Sequence, residues 1–321
     1  MPPVQRKSPK RAASSESRMT LMEFTQAFKD DEACLQWLWR NRHSEDGVNA
    51  RCPKCECTRP FQRYETKQQR QSWTCTACGH HLHPTAGTIF EKSSTSLHLW
   101  FYAMYLMTST RCGISAKQLE RELGVTYKTA WRIFKQVRTL FADDGSPLSG
   151  KVEIDESYFG GKEGNKHLNK RSRHKNQSKQ TVLGMVQRGY GERSGRVVAS
   201  VIPFTWKGYI HRPIREKVME RTTIYTDESS YYDALPKMGY HHGRVHHTHK
   251  VYVSGDVHVN TLEGFWSLAK RGINGVYHSV SAKYLQSYLN EYAWRYNHRD
   301  DLRGHFNVLI RRAARGEMQV F

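Results

Sequence analysis

Two Cys-x2-Cys pairs, Cys52 with Cys55 and Cys75 with Cys78, stand nineteen residues apart and constrain this chain more than any other feature. Each pair lies on a tight knuckle where Pro53 or Gly79 helps the turn, and the stretch from Phe61 to Trp73 alternates like a hairpin. Four thiolates gathered in this way make a closed tetrahedral zinc site, structural because no position is left for a substrate. The segment is polar and has too little core to fold without that ion. Cys57 falls outside the register and reads as a bystander, while His80, His81 and His83 read as surface or nucleic-acid contacts. Tight cysteine pairs fit a reducing compartment better than a disulfide framework does, so the expected setting is cytoplasmic, on or near the nucleoid.

The flanking segments follow from periodicity. Residues 1–19 form a basic arm without an apolar stretch, expected to be disordered, and no run reaches the roughly eighteen apolar residues that a membrane helix needs. Residues 20–48 read as a helical lead-in with Phe24, Phe28, Leu35, Leu38 and Trp39 at helical spacing and Cys34 as a small core residue. The zinc ribbon occupies 49–92. Residues 93–141 begin with an apolar helix (Leu97, Trp100, Phe101, Met104, Tyr105) and continue as a helix-turn-helix. There Ser115 and Thr126 cap two short helices around the turn at Gly124-Val125. Leu119, Leu123, Ala130, Ile133 and Val137 face inward. Tyr127, Lys128, Arg132 and Lys135 face outward, where base edges or phosphates would be met. With 50 Lys+Arg against 30 Asp+Glu, a formal net charge of +20, a polyanionic partner fits this face.

Residues 142–150 form a turn-rich linker, and beyond it the pattern changes. Four strands are expected at "KVEIDES", "QTVLGMVQRG", "GRVVASVIPF" and "RTTIYTDES", with a weaker fifth at "GRVHHTHK". A helix at "IREKVME" separates the third and fourth. Helices follow at "NTLEGFWSLAKRG" and "SAKYLQSYLNEYAWRYNHR", the latter with a tyrosine and leucine stripe that reads as a core face, and residues 301–321 read as a C-terminal helix or tail. The fold class is thus multidomain α+β and α/β, with a zinc ribbon and helix-turn-helix ahead of a ribonuclease-H-like core with a mixed five-stranded sheet at 150–300. Between the first two strands lies a long basic insertion, 162–179, suited to a phosphate backbone. The His-rich run at 241–249 matches no trusted ligand spacing.

The order of elements also places the acids. Asp155 ends the first strand, Asp227 ends the fourth, and Glu263 lies near the start of the late helix. In a ribonuclease-H-like core the first and fourth strands are neighbours, so their ends bring Asp155 and Asp227 together and the helix adds Glu263. Such carboxylates suit two Mg²⁺ or Mn²⁺ ions roughly 3.5–4 Å apart, serving an in-line phosphoryl displacement. Lys270 follows Glu263 by seven residues, on the same helix face, where it and the adjacent Arg271 would hold DNA phosphate. Strand alternation puts Glu153 on the face of Asp155, as a competing carboxylate, and points Glu156 and Glu228 away.

These stretches carry a resemblance. "RCPKC...CTACG", "TAGTIFE", "GISAKQLERELGVTYKTAW", "VEIDESYFGGK", "YTDES", "HVNTLEGFWSLAKRGINGVYHSVS" and "YLNEYAWRYNHR" together resemble the fifteen-ninety-five, or ISXO2-like, insertion-sequence transposases of the DDE superfamily. The resemblance spans about residues 24–300. It implies a DNA transposase that binds terminal inverted repeats through the zinc ribbon and helix-turn-helix, cuts the element's ends, and joins 3′-hydroxyls to target DNA. It places the acidic triad on Asp155, Asp227 and Glu263, with the basic residue at Lys270. His258 and Asn260 also fall on the family's motif, in roles the sequence leaves open. Synapsis of two ends implies a homo-oligomer on double-stranded DNA. Two other readings share parts of the pattern: a transcriptional regulator with a decayed core, and a nuclease of branched DNA that joins nothing.

Overall fold

A computed structural model describes residues 19–64, 72–161, 167, 179–189, 195–245 and 258–318. The basic arm, nearly all of the basic insertion 162–179 and the His-rich run beyond Val245 lie outside the described residues. The chain divides into two compact units, one comprising Met1–Leu140 with Asp301–Phe321 and the other Phe141–Asp300.

The first unit opens with two helices, α1 (Leu21–Ala27) and α2 (Asp31–Arg42). The lead-in breaks because each half has its own cap. Thr20 and Glu23 form a capping box on α1, and Asp30 accepts from the Ala33 N–H to start α2. Next comes an antiparallel sheet in the order β1 (Asn49–Arg51), β2 (Thr58–Tyr64), β3 (Ser72–Cys75), β4 (His81–Leu82). Its small core is an aromatic one. The Trp39 ring from α2 stacks on Trp73 of β3 with centroids 4.6 Å apart and planes 2° from parallel. Helices α3 (Leu97–Ser109), α4 (Ala116–Leu123) and α5 (Tyr127–Arg138) complete this stretch. The segment after residue 300 is no separate tail. Its helix α9 (His305–Arg315) returns to the first unit, where Phe306 meets Phe24 and Phe28 at centroid distances of 5.6 and 5.7 Å.

The second unit is built on a mixed five-stranded sheet of order β7-β6-β5-β8-β9. Strands β5 (Lys151–Phe159), β6 (Gln180–Gln187) and β7 (Arg196–Ile202) run antiparallel, while β8 (Thr223–Thr226) and β9 (His241–Arg244) run parallel to β5. One face carries Val152, Ile154, Leu183, Met185 and Ile224 and is covered by Ile210 and Ile214 of α6 (Lys207–Lys217). On the other face Val182, Val186, Val197 and Ala199 are covered by α7 (Asn260–Gly272) and α8 (Leu285–Asn297) through Leu262, Phe265, Trp266, Leu285, Leu289 and Tyr292. The sequence places the α6 segment at 214–220, just after Pro213. The helix instead begins at Lys207 and runs through Pro213, because burying Ile210 and Ile214, one turn apart, outweighs the missing N–H.

Candidate metal centres and nucleic-acid surface

The cysteine cluster is assembled from two knuckles. Cys52 and Cys55 follow β1; Cys75 ends β3 and Cys78 lies in the turn to β4. In the first knuckle the Glu56 N–H donates to the Cys52 carbonyl, and in the second the Gly79 N–H donates to that of Cys75. Glu56 and Gly79 both take positive φ, +57° and +71°, the second at no steric cost. All four Sγ atoms lie within 4.8 Å of one another, with Cys52 to Cys78 at 3.5 Å and Cys55 to Cys75 at 3.9 Å. A tetrahedral zinc with Zn–S of about 2.3 Å requires sulfurs about 3.8 Å apart, so the donor set fits that ion. Burial pushes the Cys52 thiol up, but the N–H groups of Cys55 and Lys54 bring it down to about 7. The Cys78 and Ala77 N–H groups likewise lower Cys75. Cys57 is exposed and outside the cluster, and His81 Nδ1 is taken up by the Thr74 hydroxyl at 2.9 Å.

A second cluster lies where β8 stops. Strand β5 pairs with β8 only as far as Glu153 opposite Tyr225, and β8 ends at Thr226. Asp155 and Glu156 therefore extend past their neighbour on that side. Asp227 turns there, its Oδ1 accepting from the Ser229 N–H at 3.0 Å. Carboxylate oxygens of Asp155, Glu156 and Asp227 lie within 4.8 Å of one another. This corrects the expectation that Glu156 points away. Alternation sets the two side chains on opposite faces, but where the pairing of β5 with β8 has stopped the oxygens of both come within reach of Asp227. Glu228 is exposed and outside the group.

The electrostatics are those of crowded, partly buried like charges. Burial, followed by the charges of Asp227 and Glu263, raises Asp155 to about 6, against the opposing pull of the Trp266 indole. Burial raises Glu156 to about 7, with Asp227 and Asp155 adding to it and the buried Tyr232 hydroxyl pulling the other way. Among the described residues none of the three has an ion-pair partner, and Glu156 Oε1 is buried without a hydrogen bond. Like charges crowded in a partly dry pocket are satisfied by a hard divalent cation, and an oxygen-only donor set suits Mg²⁺ or Mn²⁺.

Helix α7 runs beside this cluster. Trp266 Nε1 donates to Asp155 Oδ2 at 3.3 Å. Glu263 is exposed and is not within the 4.8 Å group, although its charge acts on Asp155. Lys270 Nζ lies 5.9 Å from the centroid of the Phe159 ring, and Arg271 is exposed with its Nε bonded to the Ser267 carbonyl. Glu153, the competing carboxylate, takes no part in the cluster. It is fully buried, paired with Arg188 at 2.6 Å and bonded to the first turn of α7. The sequence reading turned Glu156 away from the site and gave Trp266 and Arg188 no role. One signal was present: Gly184 sits inside a strand, where a glycine marks a close approach by another group.

In the first unit, Ser115 and Thr126 cap α4 and α5 by accepting from the Gln118 and Thr129 N–H groups, and Gly124 turns the chain at φ +62°. Tyr127 is 47% exposed, and Lys128 and Lys135 are exposed beside it. Arg132 is exposed but tied down. Its guanidinium donates to the Ser93 and Thr95 hydroxyls at 3.0 and 3.1 Å and lies 5.6 Å from the Trp100 ring centroid. No helix among the described residues is long and apolar enough to cross a membrane.

Comparison with known proteins agrees with this geometry. Residues 147–297, which contain the acidic cluster and α7, match the family described as the ISXO2-like transposase domain. Over 290 residues the chain is 31% identical to an uncharacterised protein of the transposable element ISH50 of Halobacterium salinarum, covering 86% of this chain and 93% of that protein. Over 115 residues it is 28% identical to an uncharacterised transposase-like protein of Haemophilus influenzae, covering 36% of this chain and 90% of the relative.

Proposed function

Because the chain belongs to the ISXO2-like transposase family, we propose that it cuts the ends of an insertion sequence and joins them to target DNA. The observation that carries this reading is the meeting of Asp155, Glu156 and Asp227 carboxylates at the end of β8, inside the family-matched segment. Asp155, Asp227 and Glu156 would hold divalent metal, with Glu263 adding its charge from α7. When bound, Mg²⁺ or Mn²⁺ supplies Lewis-acid stabilisation of charge on the phosphoryl oxygens and a readily deprotonated nucleophile.

The protein's own groups do the rest. Trp266 orients Asp155, and the three carboxylates fix where a phosphodiester can be bound without repulsion once their charge is balanced. Lys270 and Arg271, at the far end of α7, grip the DNA backbone. In the first step water attacks the phosphodiester at the element's end and displaces the element's 3′-oxygen, which leaves as a 3′-hydroxyl while the phosphate stays on the 5′ end of the flanking strand. In the second that 3′-hydroxyl displaces a 3′-oxygen of the target strand, so one phosphodiester forms as another breaks. A ribonuclease-H-like core is the architecture for this chemistry, and the β7-β6-β5-β8-β9 order supports it. Asp227 stands just past β8, and Asp155 lies in the middle of β5, beyond the point where its pairing with β8 stops, and not at the strand end that the sequence suggested. The α4–α5 pair, acting as a helix-turn-helix, and the zinc ribbon over residues 49–92 bind the terminal inverted repeats. Two ends held together require more than one copy of the chain on the DNA.

The test is strand cleavage and joining on duplexes carrying the element's own ends, with Mg²⁺ or Mn²⁺, comparing wild type with Asp155→Asn and Glu263→Ala. Both variants should bind the ends and neither cut nor join. If Glu263→Ala cuts as well as wild type, the third acid is misplaced. If wild type binds the ends but never cuts, the chain is a DNA-binding regulator.

A further inference from the structure

Glu153 lies two residues before Asp155 on the same strand face, yet the structure gives it different work. It is fully buried, and both of its oxygens bond to the start of α7. Its Oε1 accepts from the Thr261 hydroxyl at 2.8 Å and its Oε2 from the Leu262 N–H at 3.0 Å, both in the first turn of α7. That turn has no cap of its own, since Val259 at the N-cap position offers no side-chain acceptor. A carboxylate there satisfies an orphan N–H and sits at the positive end of the helix dipole.

The charge is balanced by Arg188. Arg188, just past the end of β6, pairs with Glu153 through Nε at 2.6 Å and donates through Nη2 to the His258 carbonyl at 2.7 Å. The His258 Nδ1 lies 3.2 Å from the same Glu153 oxygen. Arg188 is itself held, its guanidinium 4.6 Å from the centroid of the Tyr225 ring on β8. The network therefore ties β5, β6 and β8 to the start of α7, one residue before Glu263. A buried carboxylate bonded at both oxygens is held against α7 and takes no part in the Asp155–Glu156–Asp227 group.

We propose that Glu153 is a positioning residue for the third acid: it clamps the first turn of α7 to the sheet so that Glu263 is held at the edge of the Asp155–Asp227 cluster. The proposal rests on Glu263 completing the metal site. It also gives His258 a role, as part of the shell that holds Glu153 in place.

A direct ligand and a positioning residue are separated by a double-mutant cycle read on metal affinity. Full-length, zinc-loaded protein is titrated with Mn²⁺ by electron paramagnetic resonance for wild type, Glu153→Gln, Glu263→Gln and the double variant, with thermal melting recorded for each. Removing an outer-shell partner commonly costs 10–100-fold in metal affinity, so Glu153→Gln should weaken Mn²⁺ binding about tenfold. In the Glu263→Gln background it should add nothing, because the group it positions is gone. Where Glu153→Gln does not fold, Thr261→Val removes a single donor to the same carboxylate. It should give a smaller loss of the same kind, absent in the Glu263→Gln background. The proposal is overturned if Glu263→Gln weakens Mn²⁺ and Glu153→Gln does not, an outcome that leaves the Glu263 assignment intact. It is also overturned if the two losses add in full, which would make Glu153 a separate ligand. If Glu263→Gln leaves Mn²⁺ affinity unchanged, the assignment of Glu263 and the proposal built on it fall together.

Discussion

The indole of Trp266 reaches the Asp155 carboxylate because the strand between them carries Gly184. Gly184 pairs with Asp155 across the sheet, and a Cβ there would meet Trp266 Cη2 at 2.8 Å and Leu262 Cδ1 at 2.9 Å, well inside contact distance. The glycine is thus the seat of the tryptophan. Through it the spacing between α7 and the acidic edge of the sheet is set.

Gly184→Ala should therefore destabilise the second unit by about 1–3 kcal/mol through overpacking, seen in urea unfolding, and should slow end cleavage more than it weakens end binding. Trp266→Phe keeps most of the ring and loses the donor. It should cost about 1 kcal/mol in the same unfolding measurement and reduce cleavage. A Gly184→Ala protein as stable and active as wild type would contradict this packing.

The raised carboxylates have a signed consequence. Glu156 is held at about 7 in the folded protein, above its ordinary value of 4.5, so the folded state keeps a proton that the unfolded chain releases. Across that window the group's contribution to stability falls as pH rises. Protein free of Mg²⁺ should thus lose ground to Glu156→Gln between pH 4.5 and 7, on the order of 2 kcal/mol in the difference between their unfolding free energies. Taking the difference cancels His43 and His242, which burial lowers to about 4 and which act in the opposite sense. Saturating Mg²⁺ should restore the wild type's advantage at pH 7, and a flat difference across the range would count against a shared site.

The stacked Trp39–Trp73 pair reports on the cysteine cluster. Cys78→Ser should lower bound zinc by elemental analysis and remove the near-ultraviolet dichroism of the stack, whereas Cys57→Ser should change neither. Loss of zinc should also abolish binding to the element's ends, because the small sheet has little other core.

On α5, Lys128→Ala and Lys135→Ala should each weaken binding to all DNA sequences alike and reduce the salt dependence by about one counterion. Arg132→Ala should also lower stability, since its guanidinium bridges Ser93, Thr95 and the Trp100 face. Competition binding at two salt concentrations, with thermal unfolding alongside, separates these effects.

What could be read from the sequence is what local chemistry dictates. The Cys-x2-Cys spacing implied the knuckles, Ser115 and Thr126 marked helix starts, and alternation marked four of the five strands of the larger sheet, because caps, knuckles and side-chain periods depend on residues a few positions apart. The family resemblance rested on such stretches, and the comparisons bear it out, the family's domain matching residues 147–297 and a relative covering 86% of the chain. What the tertiary structure alone decided depends on where distant segments end and meet. Glu156 joins Asp155 because β8, some seventy residues later, stops at Thr226. Glu153 leaves the cluster because the uncapped start of α7, more than a hundred residues on, lands against it. Strand alternation assigns a face, but a carboxylate's partner is chosen by which buried donors lack one, and that is known only when the chain has closed.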